Sequence, residues 1–532
     1  MSKSLGNVVE PSDMAQRFGP DAFRYFVLRE MHFGSDASFS DDALVGRINA
    51  DLANDLGNLL HRTLNMTIKF QDGVLLAPQG ESEVDKSLKA DAKETVDFRR
   101  GEWLCAVCLT KRLVCRYDLA GGKSELGLDW NKTDRDRPLL RFPSVASIAA
   151  APAMADTRLV RVDGKNFIAP DGSTLRIKGI SLGNWLMPEG YMFKFEVAKA
   201  PRQIYDAFDR LLGKDDAETF WRRYRDTYVT EADIRFIKSV GFNMVRVPLH
   251  WRLFMDADGG IRGDGWALLD RVVGWAQASG LYVIPDLHAA PGGQTGINHD
   301  DGPGYPLMFY VPRDRDLTIR LWRAIAQRYR GNPTMLGYDI LNEPAAPYHD
   351  VATLNARLEP FYKRATAAIR EVDPERIVIL AGGQWSSSFA MLGPPFAGNL
   401  AYTYHSFWAS TKRDSIQRHL NFANLYNVPL FLGETGELTD EWNEEFRRLH
   451  EFHDIGWSFW TYKNLDTFST IVSIPRPEGW NQIVAFADGR QKEKPPQALI
   501  DRAIAQYLDG IRLQNGTVRW SYLASLGLRS AP

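Results

Sequence analysis

Two carboxylates stand at the ends of short apolar runs. Glu343 closes Tyr338-Asp339-Ile340-Leu341-Asn342-Glu343-Pro344, and Glu434 closes Phe431-Leu432-Gly433-Glu434. Pro344 cannot continue a ladder, so the first run reads as a strand buried on both faces that stops with Asn342 and Glu343 at its C-terminal mouth. Paired carboxyl groups, one neutral and one ionised, can protonate a glycosidic oxygen and supply an electron pair to the anomeric carbon. Neighbouring runs end in other chemistry-bearing side chains: Val245-Arg246-Val247-Pro248, Asp286-Leu287-His288, Tyr404-His405 and Trp460. Arg246 beside Glu434 is expected to hold that carboxylate anionic and depress its pKa, while desolvation and opposing negative charge raise that of Glu343, the proton donor. Asn342 is placed to hydrogen-bond a sugar 2-hydroxyl, and Trp460 to floor the subsite of the reacting ring. Glycoside hydrolysis is the chemistry this set can do.

Such side chains converge only if their strands are parallel neighbours. From Arg158 to about Leu513 short apolar strands alternate with longer amphipathic stretches. The strands read as Ile177 to Leu182, Met244 to Pro248, Tyr282 to His288, Met335 to Asn342, Ile377 to Ala381, Ala401 to His405, Pro429 to Glu434 and Gly456 to Trp460. Helices at Glu231 to Val240, Ala267 to Ala278 and Arg315 to Tyr329 supply crossovers, and Pro496 to Leu508 reads as the last helix. The fold class is α/β, a (β/α)8 TIM barrel whose C-terminal strand ends form the site, preceded by a small all-α segment and an irregular linker. Phe167 to Leu175, around Pro170-Asp171-Gly172, reads as a hairpin. The tail after Gly510 either packs on the barrel or frays.

The chain has 532 residues, which calls for two domains or one barrel with appendages. Its net charge of -2 argues against an extended basic surface for nucleic acid. Aromatic residues make up 12%, with 15 Trp, which suits a protein that stacks on sugar rings. No run of eighteen apolar residues is present, so no membrane helix is expected. Cys105, Cys108 and Cys115 offer three thiols at zinc-like spacing, but no nearby His or fourth Cys completes a tetrahedron. Neither a metal nor a cofactor is expected.

Residues 1–98 read as helical, with an apolar stripe from Leu44 through Ile48, Leu52, Leu56, Leu60 and Leu64 to Ile68. Met1-Ser2-Lys3-Ser4-Leu5-Gly6-Asn7 resembles the signature loop of class I aminoacyl-tRNA synthetases. Gly19-Pro20-Asp21-Ala22 and Ala53-Asn54-Asp55-Leu56-Gly57-Asn58-Leu59 are similar to methionyl-tRNA synthetase in particular. In that family the loop lysines stabilise ATP phosphates, and Lys3 would match one of them. The nucleotide-binding fold and its His-x-Gly-His motif are absent from this sequence, so the segment is expected to have no aminoacylation activity. Interspersed acids such as Asp41, Asp42, Asp51 and Asp55 count against a tRNA-binding face. Residues 99–155 lack a period and read as a linker. Within them Val145 to Ala155 either resembles the end of a secretory signal with an Ala-x-Ala pattern or is an Ala-rich spacer. The signal reading implies a secreted or periplasmic parent for the barrel, and the chain as written implies a cytoplasmic product. The expected divisions are thus 1–98, 99–155, 156–513 for the barrel and 514–532 for the tail.

Strand for strand, residues about 160–510 resemble glycoside hydrolase family 5, on Arg246, His288, Asn342-Glu343-Pro344, His405, Glu434 and Trp460. That resemblance implies a retaining mechanism, with Glu343 as acid/base and Glu434 as nucleophile. Gly179-Ile180-Ser181-Leu182-Gly183-Asn184-Trp185 with Pro188-Glu189, the run Asp286 to Gln294, and Phe459-Trp460-Thr461-Tyr462-Lys463 are similar to the exo-β-1,3-glucanase-like branch. The implied substrate is a β-glucan or β-glucoside, with linkage, endo or exo action, transglycosylation and oligomeric state left open. The family carries an aromatic hydroxyl two positions after the strand-six His, where this chain has Phe407. Either Tyr404 or another tyrosine supplies the hydroxyl, or the nucleophile is tuned otherwise. Glu437, a second acid near Glu434, lies beyond the strand end and is the lesser candidate for nucleophile.

Overall fold

The computed structural model describes residues 158–297 and 300–529. The helical reading of 1–98, Lys3, the three cysteines and the signal-like segment lie outside the described residues.

Eight parallel strands close into a barrel. We number them β1 (Lys178–Ser181), β2 (Met244–His250), β3 (Tyr282–Ala289), β4 (Gly337–Asp339), β5 (Ile377–Ala381), β6 (Leu400–His405), β7 (Leu430–Glu434) and β8 (Gly456–Phe459). Closure comes from β8 pairing with β1, with Ser458 opposite Gly179. The crossover helices are α1 (Glu231–Val240), α2 (Asp264–Ser279), α3 (Pro312–Arg328), α4 (Val351–Arg370), α5 (Gln417–Tyr426) and α6 (Asp440–Phe452), and α7 (Gln497–Gly510) follows β8. An additional pair, Pro201–Leu212 and Lys214–Tyr228, is inserted before α1.

Strand period sets where the chemistry lies. Successive side chains alternate faces, so every second residue enters the barrel. At the N-terminal end the inward positions are apolar: Met244, Ile284, Leu336, Ile377, Ala401 and Phe431 pack together with Phe167 of the preceding hairpin. Two residues further along, the inward positions turn polar: Met244 gives way to Arg246, Ile284 to Asp286 and then His288, Ala401 to Thr403 and then His405. The barrel therefore has an apolar floor and a charged mouth. The alternate residues, Val245, Val247, Leu287, Tyr402, Tyr404 and Leu432, join the larger core beneath the helices.

One of the expected elements differs in detail. The fourth strand is only Gly337–Asp339. Hydrogen bonds from Ile340 N to Ile379 O (3.2 Å) and from Asn342 N to Leu287 O (3.0 Å) carry the chain on between its neighbours. The hairpin expected over Phe167–Leu175 is present, with Leu175 N donating to Phe167 O at 2.8 Å and Ile168 opposite Thr174, and a further hairpin of Arg161–Asp163 and Asn166–Ile168 precedes it. The expected Asp171-Gly172 turn is held by Asp171 Oδ1 accepting from Ser173 N at 2.9 Å. The tail packs rather than frays: Thr517–Val518 pairs with Val472–Ile474, and Tyr522, Leu523 and Leu526 are buried.

Candidate active site

Arg246, wholly buried, is the hub of the mouth. Its Nε donates to Asp339 Oδ2 at 3.0 Å, its Nη2 to Asn342 Oδ1 at 3.0 Å, and its Nη1 to Glu434 Oε1. Asp286 Oδ1 lies 3.0 Å from Nη2. A guanidinium only donates, so it fixes the Asn342 amide with oxygen toward Arg246 and nitrogen toward His288 Nε2, 3.2 Å away. That ring nitrogen then accepts, and Nδ1 donates to Asp286 Oδ2 at 2.8 Å. Burial pushes His288 down to about 4, which keeps the imidazole neutral as this chain of bonds requires.

His405 Nδ1 lies 3.0 Å from Glu343 Oε1 and 3.7 Å from Glu434 Oε2, so the ring stands between the two carboxylates. Ligand-type atoms of Glu343, His405 and Glu434 all fall within 4.8 Å of one another. Burial pushes His405 down to about 3, and as a neutral donor it does not neutralise either acid. Asp286, His288 and Glu434 form a second group of this kind. Arg246 stands against Asp286 and Glu434 in this group, and the guanidinium charge repels a further cation there.

Two local departures from strand geometry bring the carboxylates inside. On β7 the register slips between Tyr404–Leu432 and His405–Glu434, leaving Gly433 as an extra residue. This bulge reverses the parity, and Glu434 enters the barrel. A side chain at Gly433 would place Cβ 2.4 Å from Thr403 Oγ1, so only glycine fits. Glu343 has a φ of 45°, a left-handed conformation rare for a non-glycine residue, which lets it follow Asn342 into the same opening.

Electrostatics depart from the sequence expectation at Glu434. Burial is the largest influence and raises its pKa, and the pull of His405, Arg246 and His288 offsets only part of it. Three carboxylates share one arginine, and burial carries Asp286 and Asp339 up to about 7. The net effect on Glu434 is therefore upward, not the depression expected from Arg246 alone.

Trp460 is at the mouth, stacked on His288 with ring centroids 5.5 Å apart. A Cβ at Gly183 would come 2.6 Å from its ring, so that glycine makes room for the indole. Tyr404 is not in the site. Its neighbour His405 faces inward, so Tyr404 faces outward, stacked on His419 of α5 at 4.0 Å, its hydroxyl buried without a partner. The tyrosine that does reach the mouth is Tyr191, which accepts from Trp460 Nε1 at 2.6 Å and donates to Glu437 Oε1 at 2.8 Å. Glu437 is thereby tied to Tyr191. Glu189, 8% exposed, lies 3.7 Å from His288 Nε2, and burial with the charges of Glu434, Glu437 and Glu343 pushes it well above the usual range. Asp286, Asp339, Glu189 and Tyr191 were not among the expected site residues. The signal for the acids was a lone carboxylate inside an otherwise apolar run.

Residues 208–466 match the cellulase model of glycosyl hydrolase family 5. A β-xylosidase of Phanerodontia chrysosporium is 29% identical over 356 residues, covering 60% of this chain and 73% of that enzyme. A probable glucan 1,3-β-glucosidase A of Aspergillus terreus is 26% identical over 315 residues, covering 56% of this chain and 74% of that enzyme. Residues 1–64 match the class I tRNA synthetase (M) family. A methionine–tRNA ligase of Caldanaerobacter subterraneus subsp. tengcongensis is 58% identical over 88 residues, and the chain spans only 14% of that ligase. Residues 208–466 of the barrel thus carry the match to glycosyl hydrolase family 5, and residues 1–64 the match to the class I synthetase (M) family.

Proposed function

We propose that the barrel is a retaining β-glycosidase acting on β-glucans or β-glucosides, with Glu434 as nucleophile and Glu343 as acid/base. The observation that carries this reading is the carboxylate spacing, with Glu343 and Glu434 oxygens within 4.8 Å across His405. Retaining enzymes hold the two groups about 5–5.5 Å apart, whereas inverting enzymes need about 6.5–9.5 Å to admit a water. Glu343 protonates the departing oxygen while a Glu434 oxygen bonds to the anomeric carbon. Water, deprotonated by Glu343, then breaks that ester and regenerates both groups.

Each supporting residue has a definable task. Arg246 fixes the Glu434 carboxylate through Nη1, holding one oxygen so that the other faces the sugar. His405 orients Glu343. Asn342, its oxygen turned to Arg246, is left with amide hydrogens as donors, one of which suits the sugar 2-hydroxyl. Trp460 and His288 wall the reacting ring. The mode of action is tested by following the anomeric form of the first product from laminarin, barley glucan and carboxymethyl-cellulose by NMR. The β-anomer released first supports double displacement, and the α-anomer overturns it. Names of the relatives add an aryl β-xyloside as a further substrate to assay.

A further inference from the structure

Four buried side chains at the mouth close into a ring of polar contacts. Arg246 Nη2 donates to Asn342 Oδ1 at 3.0 Å, and Asn342 Nδ2 faces His288 Nε2 at 3.2 Å. His288 Nδ1 faces Asp286 Oδ2 at 2.8 Å, and Asp286 Oδ1 returns to Arg246 Nη2 at 3.0 Å. Every link has one direction. The guanidinium can only donate and the carboxylate can only accept, so the amide and the imidazole between them are each left with one orientation.

The backbone gives these groups little room to shift. Asp286 and His288, two apart on β3, share its inward face. Asn342 N donates to Leu287 O at 3.0 Å, and the buried Gln294 side chain donates through Nε2 to His288 O and to Asn342 O, each at 2.8 Å. Trp460 lies against the imidazole face. A change at one member must therefore pass along the ring. In Asp286→Asn the new amide keeps its oxygen toward Arg246 and turns its NH2 to His288 Nδ1, which drives the imidazole proton onto Nε2. That N–H then meets the Asn342 NH2, donor against donor. Rotating the Asn342 amide relieves the clash only by turning the same NH2 against the Arg246 cation. Neither arrangement is satisfied, and a buried mismatch of this kind is costly.

We propose that Asp286 is a positioning residue for the sugar 2-hydroxyl: its carboxylate holds the His288 proton on Nδ1, and so keeps the Asn342 amide turned with its NH2 available to the substrate. This rests on the reading of the barrel as a β-glycosidase in which Asn342 meets that hydroxyl. Asp286, itself wholly buried, acts only through His288 and Asn342. Asp339, the other aspartate on Arg246, accepts from Nε and Nη2 and has no contact with His288 that would set its tautomer. The two aspartates thus share a cation but differ in what they direct.

The test compares an aryl β-glucoside with its 2-deoxy analogue at pH 8, above the value of about 7 to which burial carries Asp286. In Asp286→Asn the ratio of kcat/KM, glucoside over 2-deoxyglucoside, drops about tenfold or more. Loss that is equal on the two substrates marks a merely structural aspartate and overturns the proposal. A double variant closes the ring again: Asp286→Asn with Asn342→Asp keeps the number of charges and lets the new carboxylate accept from both Arg246 Nη2 and His288 Nε2. Its urea midpoint lies above the sum of the two single effects, while its preference for the 2-hydroxyl stays lost. The control pair, Asp339→Asn with Asn342→Asp, removes the same charge without touching His288, and its coupling is smaller. Equal coupling in the two pairs refutes the ring. Should the parent cleave neither substrate, the glycosidase reading fails separately, and nitrogen NMR of the imidazoles still decides. A His288 proton on Nδ1 in the parent and on Nε2 in Asp286→Asn supports the proposal, and the same tautomer in both refutes it.

Discussion

Among the buried ion networks of the described residues, two follow opposite rules. Behind β8, Lys463 Nζ donates to Asp233 Oδ1 (2.6 Å), Tyr228 O (2.7 Å) and Ile511 O (2.8 Å), which uses all three ammonium hydrogens. Asp233 in turn accepts from Tyr462 through Oδ1 and from Thr230 N and Oγ1 through Oδ2. One charge meets one charge, and every donor is satisfied. At the mouth a single Arg246 faces Asp286, Asp339 and Glu434, and burial drives the two aspartates up to about 7. A matched pair braces the wall; a mismatched one keeps carboxylates under electrostatic pressure that catalysis can use.

The largest effect expected from this contrast is the separation of activity from stability at Glu434. With Glu434 as the proposed nucleophile, Glu434→Gln lowers hydrolysis by about 10^3-fold or more while an oligosaccharide substrate still binds. The same change removes one of three crowded anions, so urea unfolding midpoints stay level or rise by the equivalent of about 1 kcal/mol. Retained activity would sink the assignment, and a large loss of stability would sink the claim of mismatch.

At the matched pair the outcome reverses. Lys463→Met leaves Asp233 buried without its cation, and stability drops by about 3–5 kcal/mol in chemical denaturation. The folded fraction keeps its catalytic constants, because Lys463 touches no residue at the mouth. A catalytic defect larger than the folding defect would show that the pair is not structural.

Titration separates the networks more finely. Asp339 has its pKa raised above the ordinary aspartate value, so its contribution to stability is complete below pH ~4 and is lost as pH climbs through about 7. Asp339→Asn keeps the hydrogen-bonding shape without the charge, and flattens the decline in stability from pH 5 to 8 by up to about 1.4 kcal/mol per pH unit. Acid acts in the other direction: burial holds His288, His405, His419 and His450 at about 4, 3, 4 and 4, so stability falls as pH drops below ~6.5. Unfolding curves of parent and variant at pH 5, 6, 7 and 8 check both signs. An Asp339→Asn slope equal to that of the parent would refute the raised aspartate.

The barrel was legible because its strands, buried on both faces, are near-continuous apolar runs broken by single charged residues. Arg246, His288, Asn342, Glu343, His405 and Glu434 were found by position at strand ends, and they do meet. What sequence could not show is how adjacent residues share a face. Glu434 enters through a one-residue bulge at Gly433, and Glu343 through a left-handed backbone, and neither geometry follows from composition or period. The sign of the Glu434 shift was missed for a related reason. Its arginine is divided among three acids, and Asp286 and Asp339 stand inside apolar runs, where strand period alone assigns them no charge partner. For Tyr404 the period-two alternation alone sets the side chain opposite His405 and so outside the mouth.

That alternation supplies the smallest and sharpest test. Tyr404 packs on His419 beneath α5, and its hydroxyl is buried without a hydrogen-bond partner, so it contributes nothing to the mouth and carries a desolvation cost. Tyr404→Phe keeps the ring and deletes the oxygen. Stability is expected to stay level or rise by about 1 kcal/mol, and kcat/KM to change by less than about twofold. Tyr191→Phe, by contrast, cuts the link between Trp460 and Glu437 and should weaken KM several-fold. If Tyr404→Phe instead lowered kcat while Tyr191→Phe did nothing, the hydroxyl missing at Phe407 would be supplied from β6 after all, and the inward and outward faces of that strand would have to be exchanged.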